Sequence, residues 1–135
     1  MDIGTENLAR IVNVGSAANL YSLYSTAVNL MGARTGMVAL ALAFLENGAC
    51  AFDDCGEAYE QLVRIHNVLV EHPPGDAVWD AEHPNILAPW DGHLASDITS
   101  CADLYTTSEG EPLILELLSL LNFADSTNQN IVVLG

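Results

Sequence analysis

Apolar residues recur at helical spacing in three segments of the chain. In the first, Ala17 to Met31, polar residues fill the opposite face and the apolar stripe consists of Leu20, Leu23, Tyr24, Ala27 and Met31. Glu57 to Glu71 and the stretch from Leu113 to about Ala124 repeat this arrangement. Three amphipathic helices are therefore predicted, the first of them capped by Ser16.

A fourth helix is predicted where the apolar residues are continuous. Met37 to Leu45 is wholly apolar and therefore carries no period, so a buried strand stays open on pattern alone. Its Ala and Leu content favours a helix. Asp54 and Glu57 are spaced like a capping box, which places the start of the next helix there.

Four shorter segments are typical of strands. Alternation and β-branched residues indicate strands at Leu8–Val14, Ala77–Trp79, Ile98–Thr106 and Ile131–Leu134. The last of these is apolar throughout and is expected to be buried on both faces. The predicted fold class is α+β: one domain over residues 1–135, with a small, mostly antiparallel sheet and amphipathic helices packed on it.

The segment from Pro73 to Gly110, called here the central loop, interrupts this regular pattern. Four prolines between Pro73 and Pro89 exclude a long helix. Both tryptophans lie in this segment, and we expect them to be mostly buried and to fix the loop on the domain surface. The residues expected to shape the loop are Pro74, Trp79, Pro89, Trp90 and Gly110.

Charge narrows the range of partners. The formal net charge is −15, from eighteen Asp and Glu against three Arg and no Lys. Nucleic acids and anionic membranes are polyanions and are excluded as partners, whereas a basic protein surface would be attracted. Solubility or adaptation to high salt is an alternative reason for the same acidity.

The densest run of acids predicts where a basic partner docks. Between Pro73 and Pro112 there is no Lys or Arg, and the predicted docking face comprises Asp76, Asp80, Glu82, Asp91, Asp97, Glu109 and Glu111. Pairing of the strands at Val78 and Ile98–Thr106 is expected to gather these acids, because sequential strands are usually neighbours. The rival face is the helix start with Asp53, Asp54, Glu57 and Glu60.

Motifs of enzyme chemistry are not found. The sequence has no Gly-rich phosphate loop, no G-x-S-x-G and no H-E-x-x-H. His72, His83 and His93 lie near the loop acids, but their spacing fits no metal-ligand pattern, so no metal, cofactor or catalytic residue is predicted. Three cysteines, an odd number, favour a reduced, cytoplasmic protein. No run reaches the roughly 18 apolar residues of a membrane span, so no membrane association is expected.

Four blocks in and beside the central loop carry a family resemblance. They are PPxxAVWD from Pro73, APWDG from Ala88, DITS from Asp97 and YTTSEG from Tyr105. In order and spacing, the chain resembles the Immunity protein 70 family of bacterial polymorphic toxin and contact-dependent inhibition systems. The chain departs at Ala88 and Asp91, where that family more often has Pro and Gly.

The resemblance implies a non-enzymatic cytoplasmic protein that binds and neutralises the C-terminal domain of a cognate toxin. A nuclease with a basic groove would suit the charge of this chain. Two other functions stay open on the residues alone. One is a small metal- or ligand-binding enzyme that uses the His/Asp-rich segment 72–97, and the other is an acidic structural or oligomeric domain. A homodimer stays open as well.

Overall fold

Five helices and three strands build the fold, and a computed structural model describes all of residues 1–135. In chain order these elements are β1 Asp2–Thr5, β2 Ile11–Asn13, α1 Ala17–Met31, α2 Ala39–Asn47, α3 Cys55–Val70, α4 Cys101–Leu104, α5 Leu113–Thr127 and β3 Ile131–Val133. Three 3-10 segments, Gly32–Val38, Phe52–Asp54 and Pro74–Asp76, join some of them. The protein is a single α+β domain, as the sequence predicted.

The sheet is antiparallel, with strand order β2-β1-β3. Its central strand, β1, was not predicted, because Asp2–Thr5 directly precedes a polar turn and is only four residues long. Ile3 and Thr5 are nevertheless fully buried. The predicted strand Leu8–Val14 is reduced to Ile11–Asn13, since Leu8 takes a φ of 63° in the turn that joins β1 to β2.

The helices confirm the periodic pattern closely. Helix α1 has the predicted bounds, and the Ser16 hydroxyl accepts a hydrogen bond from the Asn19 amide. The apolar run after Gly36 is helical, and the first amides of α2 donate to the side-chain oxygen of Gln61 on α3. Helix α5 continues to Thr127, three residues past Ala124, and ends at Asn128 in the left-handed conformation.

The core is one cluster shared by the long helices and the inner face of the sheet. Helix α3 packs on α1, α2 and α5, and α5 also contacts β1 and β2. Every buried side-chain nitrogen or oxygen has a hydrogen-bond partner. The largest fully buried side chain is that of Tyr105, which follows α4 near the end of the central loop.

Two predicted strands are wrong. Ala77–Trp79 is irregular, because the backbone of Val78 bonds to hydroxyls on α1 instead of to a neighbouring strand. Within Ile98–Thr106, Cys101–Leu104 forms a helical turn, because Ser100 and Asp103 make a reciprocal capping box that outweighs the β propensity of the segment. No pair of sequential strands therefore joins the two ends of the central loop.

Two local predictions also need correction. The Asp54 side chain makes no cap hydrogen bond, and α3 begins directly from the 3-10 turn Phe52–Asp54. Strand β3 is not buried throughout: Ile131 is buried, Val132 is partly buried and Val133 is exposed, so burial decreases along this edge strand.

The helical stretch from Ala17 to Asn47 is long and apolar enough to cross a membrane if only length and composition are considered, which the apolar runs alone did not indicate. A helix buried in a protein core passes the same test. Gly32, at a φ of 54°, interrupts this stretch, and α1 and α2 contact each other. Leu23, Ala27 and Leu45 are fully buried, so both helices contribute to the core.

Candidate functional site

The central loop is attached to α1 by hydroxyl groups. The Val78 amide donates to the Thr26 hydroxyl at 2.8 Å, and the Val78 carbonyl accepts from the hydroxyls of Ser22 and Thr26 at 2.9 and 3.1 Å. Two residues further on, the Ala81 amide donates to the Ser25 hydroxyl at 3.0 Å. The polar face of α1, which the sequence suggested would face solvent at Ser22 and Thr26, instead holds the start of this loop.

The buried side chain of Tyr105 hydrogen-bonds to the same hydroxyls of α1. The Tyr105 hydroxyl lies 2.8 Å from the Ser22 hydroxyl and 2.7 Å from that of Thr26. Burial raises the pKa of Tyr105 to about 12, even though the hydrogen bonds with Ser22 and Thr26 act in the opposite direction. The phenol therefore remains neutral at physiological pH and serves as a structural hydrogen-bonding group.

Aromatic rings hold the middle of the loop. Trp90 meets Trp79 edge to face, with ring centroids 5.2 Å apart and planes at 84°. The ring of Trp90 also meets that of Tyr105 edge to face at 5.7 Å. Both tryptophans are partly buried, and Trp90 packs against the hydrophobic core. From Glu82 to Ile98 the hydrogen bonds are local turns, so Trp90 is the principal attachment of that segment.

Cys101, in the later part of the central loop, is hydrogen-bonded to the residues at the start of the loop. Its amide donates to the His72 carbonyl at 2.9 Å, and its thiol donates to the Pro73 carbonyl at 3.2 Å. Burial, followed by the charges of Asp76 and Asp103, raises the pKa of Cys101 to about 11. The thiol is protonated at neutral pH and belongs to the core, on a helical turn where the sequence predicted a strand.

The other residues expected to shape the loop lie at turns. Pro74 is the first residue of a 3-10 turn, and Pro89 lies in the turn that the Asp91 amide closes onto the Ala88 carbonyl. Gly110 has a φ of 85°, which a side chain would strain.

Two loop acids lie beside a pair of tyrosines on α1. The rings of Tyr21 and Tyr24 are 5.6 Å apart. Partial desolvation raises the pKa of Tyr21, and the charges of Glu82, Asp80 and Glu46 raise it further. Glu46 of α2 therefore lies close to these acids, although the face predicted from the sequence did not include it. Only a helix-packing model would have found it, because Glu46 is distant from the loop in sequence.

Asp80 is the most constrained of these acids. Its carboxylate accepts hydrogen bonds from the Glu82 amide at 2.9 Å and from the His83 ring at 3.3 Å. Partial desolvation raises the pKa of Asp80, but these hydrogen bonds and the His83 charge outweigh it, so the pKa lies below its usual range. Asp80 is consequently ionised and shapes the turn, whereas Asp76, Glu82, Asp91 and Asp97 are exposed.

Glu109 and Glu111 line a different groove. This groove, of about 320 Å³, lies between β2 and the turn at Thr107–Glu111, and Glu116 of α5 also lines it. The Ser108 amide donates to the Asn13 carbonyl and fixes the turn beside the sheet edge. The strand pairing expected to join these two acids to the loop acids does not form, so that reason for treating all seven as one face is lost.

The rival acidic face lies at the start of α3. Glu57 and Glu60 line a groove of about 400 Å³ between α3 and α5, together with Asp125. Gly56 lets the two helices approach closely, because a Cβ at this position would lie 3.0 Å from a carboxylate oxygen of Asp125. Asp53, Asp54 and Phe52 precede this groove on a 3-10 turn.

The loop histidines form separate pairs with acids. His72 contacts Asp76 at 2.8 Å, and His83 contacts Asp80 at 3.3 Å. No group of three or more His, Cys, Asp or Glu side chains converges as metal ligands would. His66 on α3 is half-buried.

Comparison with known proteins gives one match. The family model described as Immunity protein 70 matches residues 6–133, which is nearly the whole chain. No curated protein and no solved structure matches.

Proposed function

We propose that this chain, which belongs to the Immunity protein 70 family, protects the cytoplasm of the cell that makes it by binding a cognate toxin domain and blocking the toxin's active region. The observation that carries the proposal is the family match over residues 6–133. Membership implies an immunity protein directed against a toxin. The toxin class, the mode of inhibition and the docking surface are our own inferences.

The toxin class that suits this chain best is a nuclease. Nuclease active sites bind a polyanion, so they lie in basic grooves. A protein of net charge −15 is attracted to such a groove. Inhibition then needs only a tight interface that occupies the groove or its rim, without a catalytic step in the inhibitor.

The proposed docking surface is the exposed acidic part of the central loop: Asp76, Glu82, Asp91 and Asp97, with Asp80 shaping the turn between them. Tyr21, Tyr24 and Glu46 lie beside this surface and extend it onto α1 and α2. Tyrosine is enriched at protein interfaces because it combines a large apolar area with a polar end. The surface therefore offers both charge and contact area.

Charge reversal separates this surface from the rival one on α3. We choose Glu82→Lys with Asp91→Lys, because both side chains are exposed and neither side-chain carboxylate makes a hydrogen bond that holds the loop. The matched pair on the rival surface is Asp54→Lys with Glu57→Lys. If each acid faces a basic toxin residue, reversal of the loop pair should weaken toxin binding by about 2–5 kcal/mol, and reversal of the α3 pair should change it little.

Isothermal titration calorimetry with the cognate toxin domain measures the affinity of both double variants, and circular dichroism confirms that each variant folds. Loss of affinity in the α3 pair alone would place the toxin on α3 and leave the loop as scaffold.

Electrostatic steering gives a second, kinetic signature. The association rate constant should fall strongly as salt rises, because salt screens the long-range attraction, while the dissociation rate changes little. Stopped-flow mixing at low and high ionic strength measures this. Association rates that do not depend on salt would show that electrostatic attraction does not drive the association. The family assignment would be unaffected.

A further inference from the structure

The central loop carries a groove lined mainly by apolar residues, with the acidic Asp91 among its lining residues. The groove has a volume of about 170 Å³ and is lined mainly by apolar side chains, among them Trp79, Pro84, Ile86, Leu87, Trp90 and Leu94. The two tryptophans meet edge to face within it. The grooves next to β2 and between α3 and α5, which lie beside the other acids of the two candidate surfaces, are larger but are lined mostly by polar residues.

Three aliphatic side chains at this groove extend into solvent. Ile86 is 54% exposed, Leu87 is 73% exposed and Leu94 is 37% exposed. Single exposed aliphatic residues are normal on a protein surface, but three around one groove form a contiguous apolar patch. Such patches bordered by polar residues mark protein interaction sites.

The size of the groove indicates the kind of occupant. Small-molecule sites usually measure about 300–1,000 Å³, which is larger than this groove of about 170 Å³. A single apolar side chain from another protein fits the available space better. This is the geometry of an interface anchor, in which one buried side chain is surrounded by contacts that exclude water.

The charge around the groove indicates which protein supplies that side chain. Asp76, Asp80 and Asp91 border the groove or lie beside it, and the chain has no Lys or Arg after Arg64. Two copies of this chain docked through the groove would bring like charges together, which disfavours a homodimer at this face. A partner with a basic surface is complementary to the acids.

We propose that the groove is the binding hot spot of this protein: it receives an apolar side chain from the basic face of the cognate toxin domain, and Ile86 and Leu87 supply much of the binding energy. This inference rests on the proposed function. It attributes the binding affinity to apolar contacts in the groove, whereas charge alone would supply long-range attraction and a faster association rate. The acids bring the toxin to the groove, and the groove retains it.

The structure keeps the groove formed before binding. Val78 is hydrogen-bonded to α1 on both its amide and its carbonyl, and Trp90 packs on Tyr105. One wall is therefore rigid, which reduces the entropy lost on binding. The other wall, at Pro84, Ile86 and Leu87, has only local hydrogen bonds and can adjust to the incoming side chain.

The test compares two matched double variants. Ile86→Ser with Leu87→Ser removes the apolar wall of the groove. Val70→Ser with Leu115→Ser is the control, because these residues are 52% and 47% exposed and line none of the acidic surfaces described above. The probe is the catalytically inactivated cognate toxin domain, with binding followed by surface-immobilised kinetics at low and high salt.

The groove variant should raise the dissociation constant about 30-fold or more, mainly through faster dissociation, and by the same factor at both salt concentrations. The control should change it by less than about 3-fold. If the double groove variant melts at a lower temperature than the wild type, Leu87→Ser alone is decisive, because Leu87 is the most exposed residue of the groove.

Equal affinity of the groove variant and the wild type would overturn the inference and leave the proposed function intact. A wild-type protein that does not bind the toxin domain would overturn both.

Discussion

At the residue scale, Trp90 connects the central loop to the core through its aromatic contacts and its packing. It meets Trp79 on one side and Tyr105 on the other, and it is the main link between the segment 82–98 and the core. Trp79 meets Trp90 in the loop and is not part of the packing on the core cluster. The sequence predicted that both tryptophans fix the loop, but the structure shows that their contributions differ.

Replacement of Trp90 by Ala should destabilise the fold more than replacement of Trp79. Trp90→Ala removes two edge-to-face contacts and part of the core boundary, and we expect a loss of about 2–4 kcal/mol in the free energy of unfolding. Trp79→Ala should cost about 1–2 kcal/mol. Urea unfolding of both variants checks the order, and an equal or larger loss for Trp79→Ala would contradict it.

At the element scale, the sequence predicted the helices well because each of α1, α3 and α5 is long and strongly periodic. The strands were harder to predict. Strand β1 is buried only because β2 and β3 flank it, and no local pattern reports that. The segment Ile98–Thr106 has β propensity, yet the Ser100–Asp103 box sets its conformation. The proposed docking acids were chosen from their local density in the sequence, whereas Glu46 lies near them only through the packing of α1 and α2.

The capping box of α4 gives a stability prediction that depends on pH. The Asp103 carboxylate accepts from the amides of Thr99 and Ser100 at 2.9–3.2 Å. Partial desolvation raises the pKa of Asp103, but these bonds outweigh it, and the pKa lies below its usual range. The stabilisation is therefore complete above the ordinary Asp pKa of about 3.9 and is lost as the pH falls through the lowered value.

Asp103→Asn should lower the free energy of unfolding by about 1 kcal/mol at neutral pH, because the substitution removes the charge but keeps the shape. The difference from wild type should shrink as the pH falls below about 3.9, because wild-type Asp103 then takes up a proton and loses its charge. Urea unfolding at pH 7 and at a series of lower pH values checks this. A difference of the same size throughout the series would show that the charge of Asp103 is not what stabilises the turn.

At the scale of the whole molecule, the charges repel one another more than they attract. Eighteen acids face three arginines, and the only Arg–carboxylate contact is between Arg10 and Glu116 at 4.0 Å on the surface. Surface pairs of this kind contribute little. The hydrophobic core must therefore stabilise the fold against repulsion between the surface charges. The same surface charge is suited to attracting a basic partner.

Salt should raise the melting temperature. Screening shortens the range of the repulsion from about 10 Å at 0.1 M salt to about 3 Å at 1 M, and we expect an increase of about 3–8 °C over this range of sodium chloride. Scanning calorimetry at pH 7 measures it, with a repeat near pH 4 as the control, because many of the acids are neutral there. A melting temperature that falls or stays constant with salt at pH 7 would contradict the account of the surface charge.

The most direct test of toxin neutralisation is a titration of the cognate toxin domain with this protein. The toxin's activity on its substrate is followed while the protein is added in known molar ratio. We expect complete loss of activity at about one equivalent, through a complex that survives gel filtration and does not form when Glu82→Lys with Asp91→Lys and Ile86→Ser with Leu87→Ser are combined. Full toxin activity in the presence of excess wild-type protein, with no complex on the column, would contradict it.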